Sequence, residues 1–335
     1  MFTTSEALDL VERTASAEAL FGPRTTDPGK RKEVRRRYRA LAAVLHPDVV
    51  GPANTRAHTA SANLTRLHHE WTNGTTVELQ TRTGAYRIGE PFAVGSIANL
   101  YEADGPYVVK VVRNPALNPL LHGEWQALRA LERFTDWNPW LRAFYPRLLD
   151  TSGDVAKNSR AFTVLDPLLD GFVTLKDVQN AYPDGLDGRD YAWMHRRLLK
   201  ALAGAHQIGL VHGAVTAENV LVHPEQHGIV LVGWSFAVES GQRLLATSKT
   251  IAYPPEVQAQ QPVTAATDVH MAHTLMADTL NPNENRQIAF AKGCQQERPQ
   301  RRPDAADLLG EYDDLLEELY GPRVFRPFAL PQTGE

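Results

Sequence analysis

The sequence predicts an α+β chain in two modules: a small all-helical one, then a larger two-lobed one with a strand-rich first lobe and a helical second lobe. Three observations carry that prediction. The first 73 residues hold an apolar stripe of 3.6-residue period, the stretch from Tyr86 to Val112 is short β-branched runs cut by glycine turns, and helical periodicity dominates after Arg189. A chain of 335 residues suits two domains, and 43% hydrophobic residues are enough to bury two cores.

Composition narrows the class. The first 25 residues carry acids throughout and no run of about 18 uncharged apolar residues occurs. A cytoplasmic protein without a membrane partner is the expectation. The single cysteine, Cys294, excludes an internal disulfide and a cysteine metal cluster, which suits a reducing compartment. The net charge of -4 is uneven: residues 1–73 hold 11 Lys/Arg against 8 Asp/Glu, and the remainder 24 against 31. The basic excess gathers in "KRKEVRRRYR", a solvated helix face or, less expectedly, a nucleic-acid patch.

In the first module (1–73), a short helix around "SAEALFG" precedes a longer one from Lys30, where Val34, Tyr38, Leu41 and Leu45 recur at spacings of four, three and four. Lys32, Arg35, Arg36 and Arg39 fall on the opposite face. Pro47 in "LHPDVVGP" removes a backbone donor and biases His46 away from helical angles, predicting an exposed loop. A further helix, "TASANLTRLHHEWTN", spaces Leu64, Leu67 and Trp71 by three and four, completing a helical hairpin. His46, His58, His68 and His69 lack the i, i+4 pairing with a carboxylate that a zinc helix needs, so no metal site is expected.

The segment "YRALA", then His46-Pro47-Asp48, then Leu64, Leu67 and Trp71 together resemble a J-domain, the module by which J-proteins contact a DnaK-type chaperone. The resemblance implies that His46, Pro47 and Asp48, with Lys32, Arg35, Arg36 and Arg39, engage the chaperone and promote its ATP hydrolysis. A positive helix would be steered toward an acidic partner surface while the rigid loop supplies specificity.

Residues 74–85 read as a linker and first strand region, opened by the turn signal Asn73-Gly74. The second module spans 86–322, with a first lobe to 166, a second from 167, and a tail at 323–335. Its strands are "YRIGEPFAV", "ANLYEA" and "YVVKVV". Then come the helix "HGEWQALRALERF", the buried strand "AFTVLDPLL", the long helix "RDYAWMHRRLLKALAGAHQIG" and the short strands "VLVHP" and "GIVLVGW". Mostly helical sequence runs on to Tyr320.

From about Tyr86 to Tyr320 this order resembles a protein kinase. Lys110 stands where the phosphate-pairing lysine belongs, and Glu124 is placed to pair with it. "HGAVTAEN" aligns with the catalytic loop HRDLKPEN, keeping His212, Glu218 and Asn219. Pro255-Glu256 in "YPPE" match the end of the activation segment, Asp268 the acid that anchors the catalytic loop, and Arg302 the arginine that pairs with the late glutamate. Asp166 and Leu168 match the hinge, the main-chain donor for an adenine belonging to Leu168.

The departures fall on the chemistry. The aspartate that orients the substrate hydroxyl is Ala214, the lysine two residues on is Thr216, and in place of DFG stands Gly233-Trp234-Ser235. Asn219 alone cannot hold magnesium, which prefers anionic oxygens. "AVGSIANLY" on GxGxxGxV keeps Gly95 and puts Ala93 and Ala98 in the other glycine places. A pseudokinase is expected: no enzyme and no required cofactor, with ATP bound weakly and without metal if at all. Lys110 and Glu124 would then either retain a nucleotide or only tie helix to sheet. Trp234 is expected to pack near Leu128 and His212.

The leading expectation is a catalytically inactive kinase-like adaptor that holds a protein partner of unknown identity and recruits a DnaK-type chaperone. The alternatives are a nucleotide-binding transferase with reassigned carboxylates such as Glu218 or Glu239, and a nucleic-acid-associated protein using the basic helix. The last lacks interleaved exposed aromatics.

Overall fold

The computed structural model describes residues 2–25, 27–51, 54–74, 76–156 and 158–331, the side chains of Pro28, Pro47, Asp48 and Asn73 excepted. Contacts divide the chain into two compact units. One comprises Met1–Gln80, Gly84–Phe92 and Tyr101–Asp104, the other Thr81–Thr83, Ala93–Leu100 and Gly105–Glu335.

The first unit opens with α1 (Thr4–Arg13), whose start is fixed by a reciprocal capping box between Thr3 and Glu6. The "SAEALFG" helix is α2 (Ala17–Phe21), so a whole helix precedes the one expected to come first. Asp27 caps α3 (Pro28–Leu45) by accepting from the Lys30 amide, with Pro28 in the first turn where its missing N–H costs nothing. α5 (Thr55–Asn73) begins four residues earlier than its apolar stripe suggests, because Asn54 accepts from the Ala57 amide. The apolar faces meet in one core containing Leu8, Val11, Leu20, Val34, Leu41, Leu45, Leu64, Leu67 and Trp71. Tyr38 stacks on His68 at 3.9 Å, and the Trp71 indole donates to the Gly22 carbonyl at 2.8 Å.

One expectation is corrected here. The loop read at "LHPDVVGP" begins instead with a helical turn, α4 (Pro47–Val50). His46 is extended, at φ -62°, ψ 135°, and its carbonyl accepts from the Val49 and Val50 amides. Proline biases the residue before it away from helical angles, but its own φ, fixed by the ring at a helical value, suits a first helical position. β1 (Val77–Gln80) then pairs antiparallel with β2 (Ala85–Val94), Val77 opposite Ile88 and Gln80 opposite Ala85.

In the second unit, β3 (Ala98–Ala103) contributes its first residues and β4 (Tyr107–Val112) follows. α6 (Asn118–Trp137) comes next, then β5 (Leu148–Thr151) and β6 (Phe162–Leu165). β6 lies antiparallel between β4 and β5, with Lys110 opposite Thr163. β7 (Val173–Thr174), α7 (Leu175–Ala181), the long α8 (Gly188–Gln207) and β8 (Leu210–Val211) lead to the hairpin of β9 (Val220–His223) and β10 (Gly228–Leu231). β11 (Val238–Glu239) pairs with β8. The helices α9 (Pro255–Gln258), α10 (Ala265–Thr279), α11 (Asn285–Gly293) and α12 (Ala305–Tyr320) complete the unit. Its main core joins Leu128 and Leu131 of α6 to Leu198 and Leu202 of α8, Met276 of α10 and Leu308 and Tyr312 of α12. Among the described residues no helix is long and apolar enough to cross a membrane.

Candidate functional site

The order strand, helix, loop, short hairpin brings Lys110, Glu124, the 212–219 loop and the 233–235 turn of the second unit together. Lys110 projects from β4, and its ammonium lies 2.5 Å from the carboxylate of Glu124 on α6 and 2.9 Å from the hydroxyl of Ser235. The same hydroxyl donates to Glu124. The three groups thus form a closed ring of hydrogen bonds in which the Glu124 side chain is only 3% exposed. Burial strengthens each charge-assisted bond because little water competes for it.

The 212–219 loop is anchored from below. Asp268 on α10 is fully buried and accepts from the His212 amide at 2.7 Å, the Gly213 amide at 2.8 Å and the His206 ring at 2.9 Å. Gly213, at φ +69°, allows the tight turn that presents both amides. Burial holds the His212 imidazole below its ordinary pKa, although the Asp268 charge opposes this. The neutral ring donates from Nε2 to the Val232 carbonyl and accepts at Nδ1 from the Ala214 amide. Asn219 donates its amide to the Ala214 carbonyl at 2.9 Å. Thr216 is half-buried, and Glu218 and Glu239 are exposed.

Gly233 has left-handed angles, φ +83° and ψ +31°. A Cβ built there would fall on the Asn219 side chain, 2.7 Å from its Nδ2 and nearer still to Cγ and Oδ1. Trp234 is completely buried; its indole donates to the Leu231 carbonyl at 2.7 Å, and its ring meets His212 and Tyr145 edge to face at 4.6 and 5.8 Å. It shares the main core with Leu128.

Above the loop, the turn between β2 and β3 is only Gly95-Ser96-Ile97. The Gly95 amide is spent on the Ala98 carbonyl at 3.0 Å, and Arg113 fastens the turn, its amide to the Ile97 carbonyl at 2.9 Å and its guanidinium to the Gly95 carbonyl at 3.3 Å. A side chain at Gly95 would lie 2.9 Å from the Ala98 carbonyl oxygen, so glycine serves the hairpin's own closure. Ile97 and Ala214 are buried in one apolar cluster with Leu120, Leu121, Trp125 and Phe236. The roles of Ser235, Ile97 and Phe236 are not evident from the sequence. Ser235 was legible as the third residue of Gly233-Trp234-Ser235; the other two carried no signal beyond hydrophobicity.

The remaining positions fall as follows. Asp166 directly follows β6, with its amide to the Arg147 carbonyl at 3.0 Å and its carboxylate 3.5 Å from the Arg147 guanidinium; Leu168 is half-buried. Glu256 and Arg302 form a buried two-pronged pair at 2.6 and 3.0 Å, with Thr267 donating to the same carboxylate at 2.8 Å. In the first unit Lys32, Arg35, Arg36 and Arg39 are exposed along α3, and His46 is exposed at its end. The side chains of Pro47 and Asp48 lie outside the described residues. Among the described residues no group of three or more His, Cys, Asp or Glu is placed to hold a metal ion.

No family model and no curated protein matches the sequence. Solved structures do: a structure of vaccinia related kinase 3 superposes with a TM-score of 0.59 at 18% identity, covering 78% of this chain and 95% of that one. At that identity the likeness speaks for architecture alone. With the buried Lys110–Glu124 pair, the Asp268-anchored loop and the Glu256–Arg302 pair in place, the chain carries a protein-kinase-like fold.

Proposed function

We propose that the kinase-like unit transfers no phosphoryl group and serves as a cytoplasmic adaptor that holds a protein partner. The N-terminal helices, read as a J-like domain, recruit a DnaK-type chaperone to it. The observation that carries the first half is the packing of Asn219 into the place a side chain at residue 233 would need. Phosphoryl transfer depends on positioned metal and an oriented nucleophile. Here position 214 is a buried alanine, a carboxylate at position 233 would have to displace Asn219, and the one carboxamide near both is turned to the Ala214 carbonyl. That donor set does not fit magnesium, which demands anionic oxygens in near-ideal octahedral geometry. Lys110 already has two oxygen partners without a phosphate. ATP, if bound, is bound weakly and without metal.

For the second half, support comes from the row of exposed cations on α3 and the exposed His46 at its end. A helix needs no such row for stability, whereas an acidic partner surface would be steered by it.

The test is incubation of the purified chain with radiolabelled ATP, with magnesium or manganese, alone and with general protein substrates. No label should enter any protein. Incorporation that disappears in Lys110→Ala would overturn the proposal.

A further inference from the structure

Residues 322–331 have no regular secondary structure, yet residues 325–330 are seated on the kinase-like unit by side chains. Phe328 is buried, stacked on Tyr182 at 5.8 Å and edge-on to Trp193 at 6.2 Å. Arg326 reaches Asp190 at 2.7 Å and Asp187 at 3.6 Å. Phe325 lies flat on His227 at 4.6 Å, and His227 lies flat on Trp193 at 4.1 Å. The Tyr182 hydroxyl donates to the Ala329 carbonyl at 2.8 Å. This is how a groove holds a peptide: two aromatic anchors, one arginine between them on an acidic pair, and a proline, Pro327, that keeps the segment extended.

One feature of the groove exceeds what its present occupant uses. The Trp193 indole N–H is buried without a hydrogen-bond partner, which is costly in a protein interior, whereas the His227 ring is engaged by the backbone of Arg326. Phe325, which covers His227, is itself 68% exposed. Asp190 is largely buried, and burial raises its carboxyl above the ordinary range while the Arg326 charge opposes this. Without a cation it would be a poorly compensated acid.

We propose that the groove formed by Tyr182, Asp187, Asp190, Trp193 and His227 is the docking site for the partner protein, and takes an aromatic-Arg-Pro-aromatic segment of it. In the free chain residues 325–328 occupy the groove in cis. The partner's segment displaces this strap and satisfies the orphaned Trp193 indole N–H with a polar group of its own. The inference rests on the adaptor reading only for the meaning of the partner. Its test uses neither ATP nor chaperone, so a negative result would leave the proposed inactivity and chaperone contact untouched.

The probe is a fluorescent peptide of residues 323–331, titrated into the full chain and into full-chain Arg326→Glu/Phe328→Ser. The strap competes in the wild type, so the peptide should bind the double variant at least tenfold more tightly. Binding should vanish when the peptide's arginine is changed to glutamate, or when the variant also carries Asp190→Lys. Circular dichroism and melting establish that the variants fold; Arg326→Ala alone, a surface change, serves if the double variant does not. Absence of peptide binding to a folded variant would make the strap a fixed part of the core and overturn the proposal. Concentration-dependent dimers that depend on Phe328, seen by light scattering, would assign the groove to a second copy of this chain and overturn the partner assignment.

Discussion

Asn219 stands where the side chain of residue 233 would have to be: a Cβ at Gly233 falls within 2.7 Å of Asn219 Nδ2 and closer to the rest of its amide. A left-handed backbone and this overlap act together. Gly233→Ala is expected to destabilise the chain by about 2–5 kcal/mol, combining strain at a positive φ with overpacking. Asn219→Ala in the same chain should recover part of the loss in urea denaturation. Ala214→Asp with Gly233→Asp should not produce phosphotransfer, because the second carboxylate cannot reach its place without displacing Asn219.

Ser235 closes the ring between Lys110 and Glu124. Ser235→Gly leaves the buried carboxylate one donor short, for an expected loss of about 1–3 kcal/mol. Lys110→Met leaves Glu124 with no cation and should cost about 3–5 kcal/mol, whereas Lys110→Met with Glu124→Gln should cost less than the single change. A Lys110→Met variant as stable as wild type would remove the ring from the account of how α6 is held.

Trp234 is wholly buried, with His212 and Tyr145 on its ring and Leu231 on its indole N–H. Trp234→Ala should lower stability by roughly 3–5 kcal/mol, the range for truncating a large core ring. Thermal denaturation checks this.

Burial raises the Glu256 carboxyl, but hydrogen bonds from Arg302 and Thr267 and the Arg302 charge outweigh it, leaving the pKa below its ordinary 4.5. Because the folded value is depressed, the pair's contribution is present above about pH 4.5 and is lost as pH falls through the folded value. Melting temperature should drop in that acidic window. Glu256→Gln should be less stable at neutral pH and show a shallower fall in acid.

If the first unit recruits a DnaK-type chaperone, the full chain should stimulate that chaperone's ATPase. His46→Gln should abolish the stimulation with helicity unchanged. Charge reversal at Arg35 and Arg36 should weaken it most at low salt, where exposed charges are least screened. Equal stimulation by wild type and His46→Gln would sink the chaperone reading.

Some of this is legible in the sequence. The stripe Val34, Leu41, Leu45 is buried as its spacing demanded, and the fold likeness to a kinase bears out the strand-then-helix order of the larger unit. α1 is not apparent from periodicity, because its apolar residues are few; what fixes its start is the capping box of Thr3 and Glu6. β5 carries no such signal, because "LLDT", with Leu149 exposed and the other three half-buried, shows neither alternation nor an apolar run.

What the sequence by itself determined is local: helix faces, caps, turns, and the identity of the residues at positions 214 and 233. It could not say that Ser235 would complete the Lys110–Glu124 pair, since those bonds join residues 125 and 111 apart. Nor could it say that Asn219 would fill the space beside Gly233, or that Phe328 would lie on Tyr182 and Trp193. Such contacts arise only when separate elements are packed, because short-range periodicity records which face of an element is apolar and not which distant group will meet it.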